Sequence, residues 1–375
     1  MILFRQNSLS VNTFKQYPST MKYVGCSRKF HSSIWILVAL VFIIVMLGGA
    51  TRLTHSGLSI VEWKPITGAI PPLNDSDWIV EFTKYQQSPE YQKINKGMSL
   101  QDFKFIFWME FAHRQLGRMI GILAFAIFIW SLISKKINSQ TRKLLALIVC
   151  MVGLQGFIGW YMVKSGLSSH PHVSPYRLSL HLIMACAIIL ILFNVLISIR
   201  NIRLHKIIFN LVGQGYYHPS KANKIWSILQ ILCILLTILY GAFVAGHKAG
   251  IIYNTFPKMG NSWIPSEIFH LSPLWKNFFE NHTMIQFIHR VLAFATIIIA
   301  FWGWIHKRCS LLFVSVIATQ LLLGIVTLLY QVPTFLGTLH QGWAIIVLSS
   351  SYLLFLVYKS TLIQETSLKL KKPRT

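Results

Sequence analysis

Long apolar runs separated by short polar segments dominate the chain between about residues 34 and 359. An apolar run of about 20 residues is long enough to cross a bilayer as an α-helix. Such runs occur near residues 34–52, 104–133, 142–163, 178–199, 225–246, 283–305, 309–331 and 338–359. The pattern predicts an all-α membrane protein with eight transmembrane helices and both chain ends on one side of the membrane.

Composition and charge agree with this prediction. Of the 375 residues, 54% are hydrophobic and only 12% are charged, and the formal net charge is +25. Most Lys and Arg residues lie in the segments on one side of the predicted helices, as is usual for segments that stay in the cytoplasm. We therefore predict a bacterial inner-membrane protein with both termini in the cytoplasm; the alternative is the mitochondrial inner membrane with both termini in the matrix. The spread of basic residues over separate segments argues against nucleic-acid binding.

Two stretches of the first half of the chain recur in the second half. Glu110-Phe111-Ala112-His113-Arg114 matches Gln286-Phe287-Ile288-His289-Arg290, and Ser179-Leu180-His181 matches Thr338-Leu339-His340. Internal repeats of this kind indicate a duplicated architecture. Because each half contains an even number of spans, the halves share one orientation in the membrane. The repeat predicts two pseudo-symmetric four-helix bundles.

The repeat also divides the chain into segments. The predicted segments are an inner basic tail at 1–33, the first four-helix half at 34–199, an inner linker at 200–224, the second four-helix half at 225–359 and an inner basic tail at 360–375. The basic, Ser-rich composition of the first segment fits a positive-inside tail and also fits a mitochondrial transit peptide. Both interpretations remain open.

Four histidines lie inside predicted spans, near the outer face, at matching positions of the repeat: His113, His181, His289 and His340. An ionisable side chain within a membrane is costly and usually marks a functional site. Two imidazoles from neighbouring helices can ligate one heme iron from both sides. The alternative for any single histidine is a hydrogen bond to a neighbouring helix. Four matched positions favour two heme sites, His113 with His181 and His289 with His340.

Small and basic residues near these histidines suit a heme. Gly117 and Gly121 lie one and two turns after His113 and leave room for a flat macrocycle. Three arginines lie where each could pair with a heme propionate. They are Arg52, Arg114 and Arg290.

An acidic residue distinguishes the two predicted sites. Glu110 is the only acid within a predicted span, and Gln286 is its counterpart in the second half. Three residues apart on a helix, Glu110 and His113 share a face, and a carboxyl group beside a heme can shuttle protons. The alternative is a salt bridge with Arg114 or Arg118. We predict that the first half carries the chemistry and the second half holds a permanent heme.

Several stretches resemble the heme A synthase family, of the mitochondrial and proteobacterial type. They are Gly48-Gly49-Ala50-Thr51-Arg52-Leu53, Ser56-Gly57-Leu58-Ser59, Trp63-Lys64-Pro65-Ile66-Thr67-Gly68, Pro71-Pro72 and Glu110-Phe111-Ala112-His113-Arg114. The resemblance extends from about residue 30 to residue 360. Another branch of the family carries a cysteine pair in the first outer loop, whereas residues 53–103 contain no cysteine.

The resemblance implies oxidation of the methyl group at ring position eight of heme O to a formyl group, in two successive hydroxylations with water as the oxygen source. The product is heme A for cytochrome oxidase. It also implies that His289 and His340 bind heme b (protoheme), and that His113 and His181 flank the substrate heme O beside Glu110. A heme O synthase is the implied supplier of substrate, and the electron acceptor is not identified.

Two other function classes remain open. A diheme cytochrome b that carries electrons would need two permanent hemes, preferably in different leaflets, whereas all four predicted ligands lie near the outer face. A parallel-repeat transporter would need spans broken near the midplane, and the predicted spans show none. Membrane lipid is the expected surrounding, and a homo-oligomer is compatible with the sequence. The loop residues His55 and His247 align in the repeat, and their roles are left open.

Overall fold

The computed structural model describes residues 27–168, 171–199, 211 and 220–370, with side chains described as far as residue 359. Within this part of the chain the regular secondary structure is helical, apart from one isolated bridge between Met259 and Ser262. Most of the predicted tail at 1–33, most of the predicted linker at 200–224 and the end of the tail at 360–375 lie outside the described residues.

Eight of the described helices are long and apolar enough to cross a membrane, and in the last of them the span ends at Lys359. The α-helices in chain order are α1 (Arg28–Leu53), α2 (Asp75–Gln86), α3 (Pro89–Lys93), α4 (Leu100–Ile133), α5 (Ser139–Gly166), α6 (Pro175–Ser198), α7 (Lys221–Gly246), α8 (Asn277–Glu280), α9 (His282–Ile305), α10 (Leu311–Leu329) and α11 (Thr334–Leu370). The predicted all-α fold with eight transmembrane helices is confirmed.

Several transmembrane helices start before the apolar runs do, because polar residues cap their first turns. Ser27, Ser99 and Asn138 each accept a hydrogen bond from a main-chain N–H at the start of the following helix. Such caps satisfy N–H groups that have no partner within the helix. As a result, α4 begins at Leu100 rather than at the predicted residue 104. A scan for apolar residues detects only the apolar part of such a helix.

Contacts between helices divide the eight spans into two groups of four. Helices α1, α4, α5 and α6 pack in a closed ring, and so do α7, α9, α10 and α11. The groups meet where α1 lies against α11 and α6 lies against α7. Across this boundary the Gln341 amide donates to the main-chain oxygen of Val45 (2.7 Å), and the Asn194 amide donates to the Tyr352 hydroxyl (2.5 Å). The division of the chain into two halves and the symmetry between them stay predictions.

Residues 54–99 and 247–281 connect helices at the same end of the bundle, which we name the loop-rich end. The first of these loops contains α2 and α3, whose aromatic side chains pack on the first turns of α4. Tyr85 stacks on Phe103 with ring centroids 5.2 Å apart, and Trp78 packs edge-on against Phe107 at 5.0 Å. The sequence did not predict this helical hairpin, because its few apolar residues are buried only by contact with α4.

Candidate heme sites

All four predicted histidine ligands lie on helices that begin at the loop-rich end. His181, His289 and His340 follow the first residue of α6, α9 and α11 by six or seven positions, which is about 10 Å along a helix that rises 1.5 Å per residue. His113 lies further from the start of α4 because the first turns of α4 belong to the loop region. The four histidines therefore lie in the half of the bundle nearest the loop-rich end.

His289 and His340 face each other from α9 and α11. Their ring centroids are 6.4 Å apart, and their ring planes make an angle of 82°. A metal–imidazole bond is about 2.0–2.1 Å long, and each ring centroid lies roughly 1 Å beyond the bonding nitrogen, so two imidazoles on opposite sides of one ion have centroids a little over 6 Å apart. The observed separation fits axial ligation of one heme iron.

A main-chain carbonyl group orients His289. The Nδ1 atom of His289 lies 3.0 Å from the main-chain oxygen of Thr237 on α7. Because a carbonyl oxygen only accepts hydrogen bonds, this contact places the ring proton on Nδ1 and leaves Nε2 free for a metal. Metal-binding histidines are commonly held in this way.

Glutamines contact the second histidine of each predicted site. The amide of Gln155 donates to the main-chain oxygen of His181 (3.0 Å), and the amide of Gln320 donates to that of His340 (3.1 Å). The side-chain oxygens of both glutamines and Nδ1 of His181 are buried without a hydrogen-bond partner among the described residues. Buried polar atoms without partners are uncommon in folded proteins, and several of them gather here at the predicted ligand rings.

Each of the four rings lies against a glycine of a neighbouring helix. A Cβ atom on Gly48 would lie 3.0 Å from Nε2 of His113. On Gly159, Gly241 and Gly324 it would lie 3.1, 3.1 and 2.9 Å from Cε1 of His181, His289 and His340, respectively. Larger residues at these positions would displace the rings. Sequence analysis did not identify these contacts, although the matching Gln155/Gly159 and Gln320/Gly324 pairs were a signal for two of them.

The two predicted sites differ in the orientation of one ring. His113 presents its Nε2/Cδ2 edge to Gly48, whereas the other three rings present the Cε1/Nδ1 edge to their glycines. Within the described chain, His113 and His181 make no ring contact of the kind that joins His289 to His340. A half-turn about the Cβ–Cγ bond would give His113 the orientation of the others. A ring contact at a separation that suits two ligands on one iron is therefore seen, among the described residues, for the second pair.

The protein leaves space beside the glycines predicted to face a macrocycle. A Cβ atom on Gly117 would meet only a side-chain atom of Ile44, at 3.6 Å, and on Gly121 only one of Val152, at 3.9 Å. Both are ordinary contact distances. Alanine would therefore fit at both positions, and room for a flat ligand next to α4 stays a prediction.

Glu110 is buried, with 3% of its surface exposed, and its carboxylate accepts four hydrogen bonds. Oε1 accepts two from the Arg114 guanidinium, at 2.6 and 3.0 Å, and Oε2 accepts from the Ser59 hydroxyl (2.7 Å) and the Ile60 main-chain N–H (2.9 Å). The salt bridge weighed as the alternative role of Glu110 is therefore present, with Arg114 as its partner. Arg118 instead donates to main-chain oxygens of the first loop. Glu110 thus ties the first loop to α4, one turn before His113.

The second half holds its loop by similar contacts without an acidic residue. The Gln286 amide donates to the main-chain oxygen of Tyr253 (3.2 Å), and Arg290 donates to the main-chain oxygens of Tyr253 and Thr255 (2.8 and 2.9 Å). Arg114 likewise donates to two main-chain oxygens of the first loop. The buried carboxylate is therefore the chemical difference between the two sets of contacts.

Of the three arginines predicted to bind propionates, Arg52 alone has no side-chain hydrogen-bond or ion-pair partner among the described residues. The guanidinium groups of Arg114 and Arg290 contact the loops, although Nε of Arg290 is buried without a partner. The propionate role of all three stays a prediction, and Arg52 is the one whose guanidinium is free.

The structure changes which residues of the two outer loops occupy equivalent positions. His55 and Lys248, rather than His55 and His247, share a left-handed backbone conformation with φ of 54° just after α1 and α7. The ring of His247 packs against that of His282, with centroids 5.2 Å apart. Counted from the ends of α1 and α7, His55 therefore corresponds to Lys248. The sequence alignment of His55 with His247 is one residue out.

Comparisons with known proteins show the family of this chain. The family model described as cytochrome oxidase assembly protein, COX15-CtaA, matches residues 32–352. A protein of Nitrosospira multiformis named heme A synthase is 42% identical over 334 residues, which is 85% of this chain and 91% of the relative. Proteins of the same name from Brucella ovis and Parvibaculum lavamentivorans are 40% and 41% identical over 326 residues, which is 84% of this chain and 88% and 91% of the relatives. The chain belongs to the heme A synthase family.

Membership in the heme A synthase family confirms the resemblance predicted from the motifs of the first half. It identifies the chain as an oxidoreductase enzyme, and the eight apolar helices make it a multi-pass membrane protein. The name of these relatives refers to heme A, and the separation of His289 and His340 fits two imidazole ligands on one metal ion.

A second buried carboxyl group, missed in the sequence, lies in the first loop of this heme A synthase family member. Glu90 on α3 is 4% exposed, and its Oε2 accepts a hydrogen bond from the Tyr85 hydroxyl (3.1 Å). Burial raises the pKa of Glu90 to about 7; the charge of Glu110 raises it further, whereas the Tyr85 hydroxyl and Lys248 oppose the rise. No sequence signal marks Glu90, because its burial follows from the packing of α2 and α3 on α4.

Replacing Glu90 by glutamine is expected to stabilise the protein above pH 7. A carboxyl pKa raised from 4.5 to about 7 means that the folded state holds the proton more tightly than the unfolded chain, so stability is greatest below pH 4.5 and falls as the pH rises to about 7. At about 1.4 kcal/mol per pKa unit, the charged form costs about 3 kcal/mol at higher pH, which glutamine avoids. The melting temperature of Glu90→Gln should exceed that of the wild type at pH 8 and differ little at pH 5. Equal melting temperatures at both values would contradict the prediction.

Proposed function

We propose that this chain is a heme A synthase that oxidises the C8 methyl group of heme O to a formyl group by two successive hydroxylations, with water as the oxygen source. Relatives bearing that name match most of the chain. The observation that carries the proposal is the difference between the two histidine sites. A buried carboxylate, Glu110, adjoins the first pair, and a neutral amide, Gln286, adjoins the second.

In this proposal His289 and His340 bind heme b, and His113 and His181 flank the substrate heme O. The 6.4 Å separation of the second pair supports the cofactor assignment. Bound heme b would supply reversible one-electron chemistry at the second site. The protein's part there is to hold the His289 proton on Nδ1 through the Thr237 carbonyl group. Arg52, Arg114 and Arg290 are the residues proposed to approach the propionates.

Glu110 is proposed to act at the first site. Conversion of a methyl group to a formyl group consumes one water overall and releases four electrons and four protons, so water must enter and protons must leave. Glu110, together with Arg114, holds the first loop against α4 beside His113, where polar groups can orient water next to the substrate. The electrons pass to an acceptor that is not identified.

The distribution of charged residues supports the proposed orientation of the chain in the membrane. Acidic residues such as Glu62 and Asp75 lie in the first loop at the loop-rich end, and basic residues such as Lys136 and Arg308 lie at the opposite end. This asymmetry supports an orientation with both termini in the cytoplasm across a bacterial inner membrane, or in the matrix across the mitochondrial one. We further propose that a heme O synthase supplies the substrate; a homo-oligomer in the lipid is compatible with this arrangement.

Pigment extraction tests the proposed reaction. The chain is expressed in a host that makes heme O but no heme A, and the hemes of the purified protein are separated and identified. Heme A or its hydroxylated precursor, together with protoheme, is the expected result. Protoheme alone, at two per chain, would favour a diheme cytochrome b, and absence of pigment would favour a transporter.

Replacing Glu110 by glutamine is expected to reduce heme A formation by about 100-fold, because loss of the carboxylate releases Arg114 and the first loop, and misplaced groups at a reacting centre cost about that much. Protoheme content should not change, because the second site lies on other helices. Glu62→Gln is the matched control, since Glu62 is an exposed acid of the same loop, paired with Lys64 and Lys84. Heme A formation at the wild-type rate in the Glu110→Gln protein would refute the assigned role.

A further inference from the structure

We infer that Glu90 takes up protons released at the first histidine site and passes them to solvent at the loop-rich end. The inference rests on the proposed function, because that reaction releases protons close to α4. Glu90 lies outside the transmembrane helices, in α3 of the first loop. It is the second buried acid near α4, and the chemistry proposed for the first site does not otherwise use it.

Glu110 is poorly suited to carry protons away. Its two carboxylate oxygens already accept four hydrogen bonds, two of them from the Arg114 guanidinium. A carboxylate has about four lone-pair sites in all. An incoming proton would therefore have to break one of these contacts, all four of which hold the first loop or Arg114 in place.

Glu90 has the opposite character. Among the described residues its carboxyl group makes one side-chain hydrogen bond, from Tyr85 at 3.1 Å, and its surface is 4% exposed. Lone pairs remain available for a proton. Burial raises the pKa of this carboxyl group to about 7, so the group is close to half protonated at neutral pH, which is the condition under which a carrier both binds and releases protons readily.

Tyr85 holds the Glu90 carboxyl group close to α4. Its hydroxyl donates to Glu90 and accepts a hydrogen bond from the Asn95 amide at 2.7 Å. Its ring stacks on Phe103 of α4. Burial raises the pKa of Tyr85, so the hydroxyl stays neutral and keeps its hydrogen bond to Glu90.

The titratable and charged groups that act on Glu90 come from three elements. They are Tyr85 on α2, Glu110 on α4 and Lys248 just after α7. The negative charge of Glu110 favours a proton on Glu90, and the positive charge of Lys248 favours its release. An anion on the helix of the first site and a cation of the second loop thus act on Glu90 in opposite directions, which suits a group that both takes up and releases protons.

The step itself moves only protons. An O–H bond of the water that reacts at the first site breaks, an O–H bond forms on the Glu90 carboxylate, and that proton later passes to bulk water. The electrons follow the separate route to the acceptor in the proposed function. Protonated Glu90 returns to the carboxylate before the next transfer, so the group is unchanged over a full turnover.

The first test is the dependence of heme A formation on pH. In the wild type the rate is expected to rise through an inflection near pH 7, as Glu90 loses its proton and becomes able to accept another. Glu90→Gln should lose this inflection and about tenfold or more of the rate at neutral pH. Tyr85→Phe should slow the reaction and retain the inflection, because the carboxyl group remains. Glu81→Gln, which removes an acid of α2 that pairs with Lys84, should leave both unchanged.

A second measurement does not depend on activity. Infrared difference spectra of the purified protein between about pH 6 and about pH 8 should show a protonated-carboxyl band that titrates near neutral pH. The band should be absent in Glu90→Gln and present in Glu81→Gln, with equal protoheme content in all variants.

The outcomes separate the two proposals. If the wild type makes heme A and Glu90→Gln keeps the inflection or the infrared band, the role of Glu90 is refuted while the proposed function stands. If the wild type makes no heme A under any condition, the proposed function fails and this role falls with it. The inference is supported if Glu90→Gln loses both the inflection and the band while Glu81→Gln keeps both.

Discussion

Replacing His289 and His340 together by alanine is expected to remove the resident heme b from the purified protein. The two rings are placed 6.4 Å apart at 82°, as expected for opposite axial ligands. Loss of a residue that merely supports a metal ligand typically costs about 10–100-fold in affinity, and loss of both ligands costs more. Protoheme content, measured by absorbance of the extracted pigment against protein concentration, should fall below roughly a tenth of the wild-type value.

Controls for this prediction are available on the same helix and in the other half. His306→Ala removes an exposed histidine at the far end of α9 and should leave protoheme unchanged. His113→Ala and His181→Ala should keep protoheme and lose heme A formation. A full complement of protoheme in the variant without His289 and His340 would overturn the assignment of the cofactor site.

Replacing a glycine that contacts a ligand ring by valine is expected to empty only the site to which that ring belongs. A Cβ atom on Gly241 would lie 3.1 Å from Cε1 of His289, and a Cβ atom on Gly159 would lie 3.1 Å from Cε1 of His181. The further methyl groups of valine would push each ring out of its position, and overpacking of this kind costs about 1–3 kcal/mol. Gly241→Val should therefore lose heme b by roughly 10-fold or more. Gly159→Val should keep heme b and lose heme A formation to a similar extent.

Gly156→Val is the matched control for the glycine variants. Gly156 lies on α5, as Gly159 does, and a Cβ atom there would meet nothing within 4 Å. The substitution has the same effect on helix propensity as Gly159→Val, so any difference between them reports the contact with His181. Equal loss of heme A formation in both variants would show that the helix, and not the position of the ring, had been disturbed.

The membrane helices were predictable because the signal for them is local. Apolar runs identified all eight spans, and the differences are confined to their ends, as at Leu100, where a polar cap extends α4 beyond its apolar part. The positions of His289 and His340 in the repeat were likewise enough to predict a pair. Their ring contact agrees with that prediction.

The contacts around the first site were only partly predictable. Helical spacing restricted the partner of Glu110 to Arg114 or Arg118, because both lie within reach along α4. The choice of Arg114 depends on the first loop, whose Ser59 and Ile60 occupy the other carboxylate oxygen. The contacts of Gly48 and Gly241 and the burial of Glu90 had no comparable signal, since they involve residues that are brought together only when helices and loops pack.

The sequence by itself determined that the chain has eight membrane helices and which histidines lie within them, because both properties depend on residues close together in the chain. Tertiary structure alone decided that His289 and His340 face each other with Nε2 of His289 free, that Glu110 is held by four donors, and that Glu90 is buried beside Tyr85. These features depend on distances between residues of different helices and loops, which the order of residues along one helix does not contain.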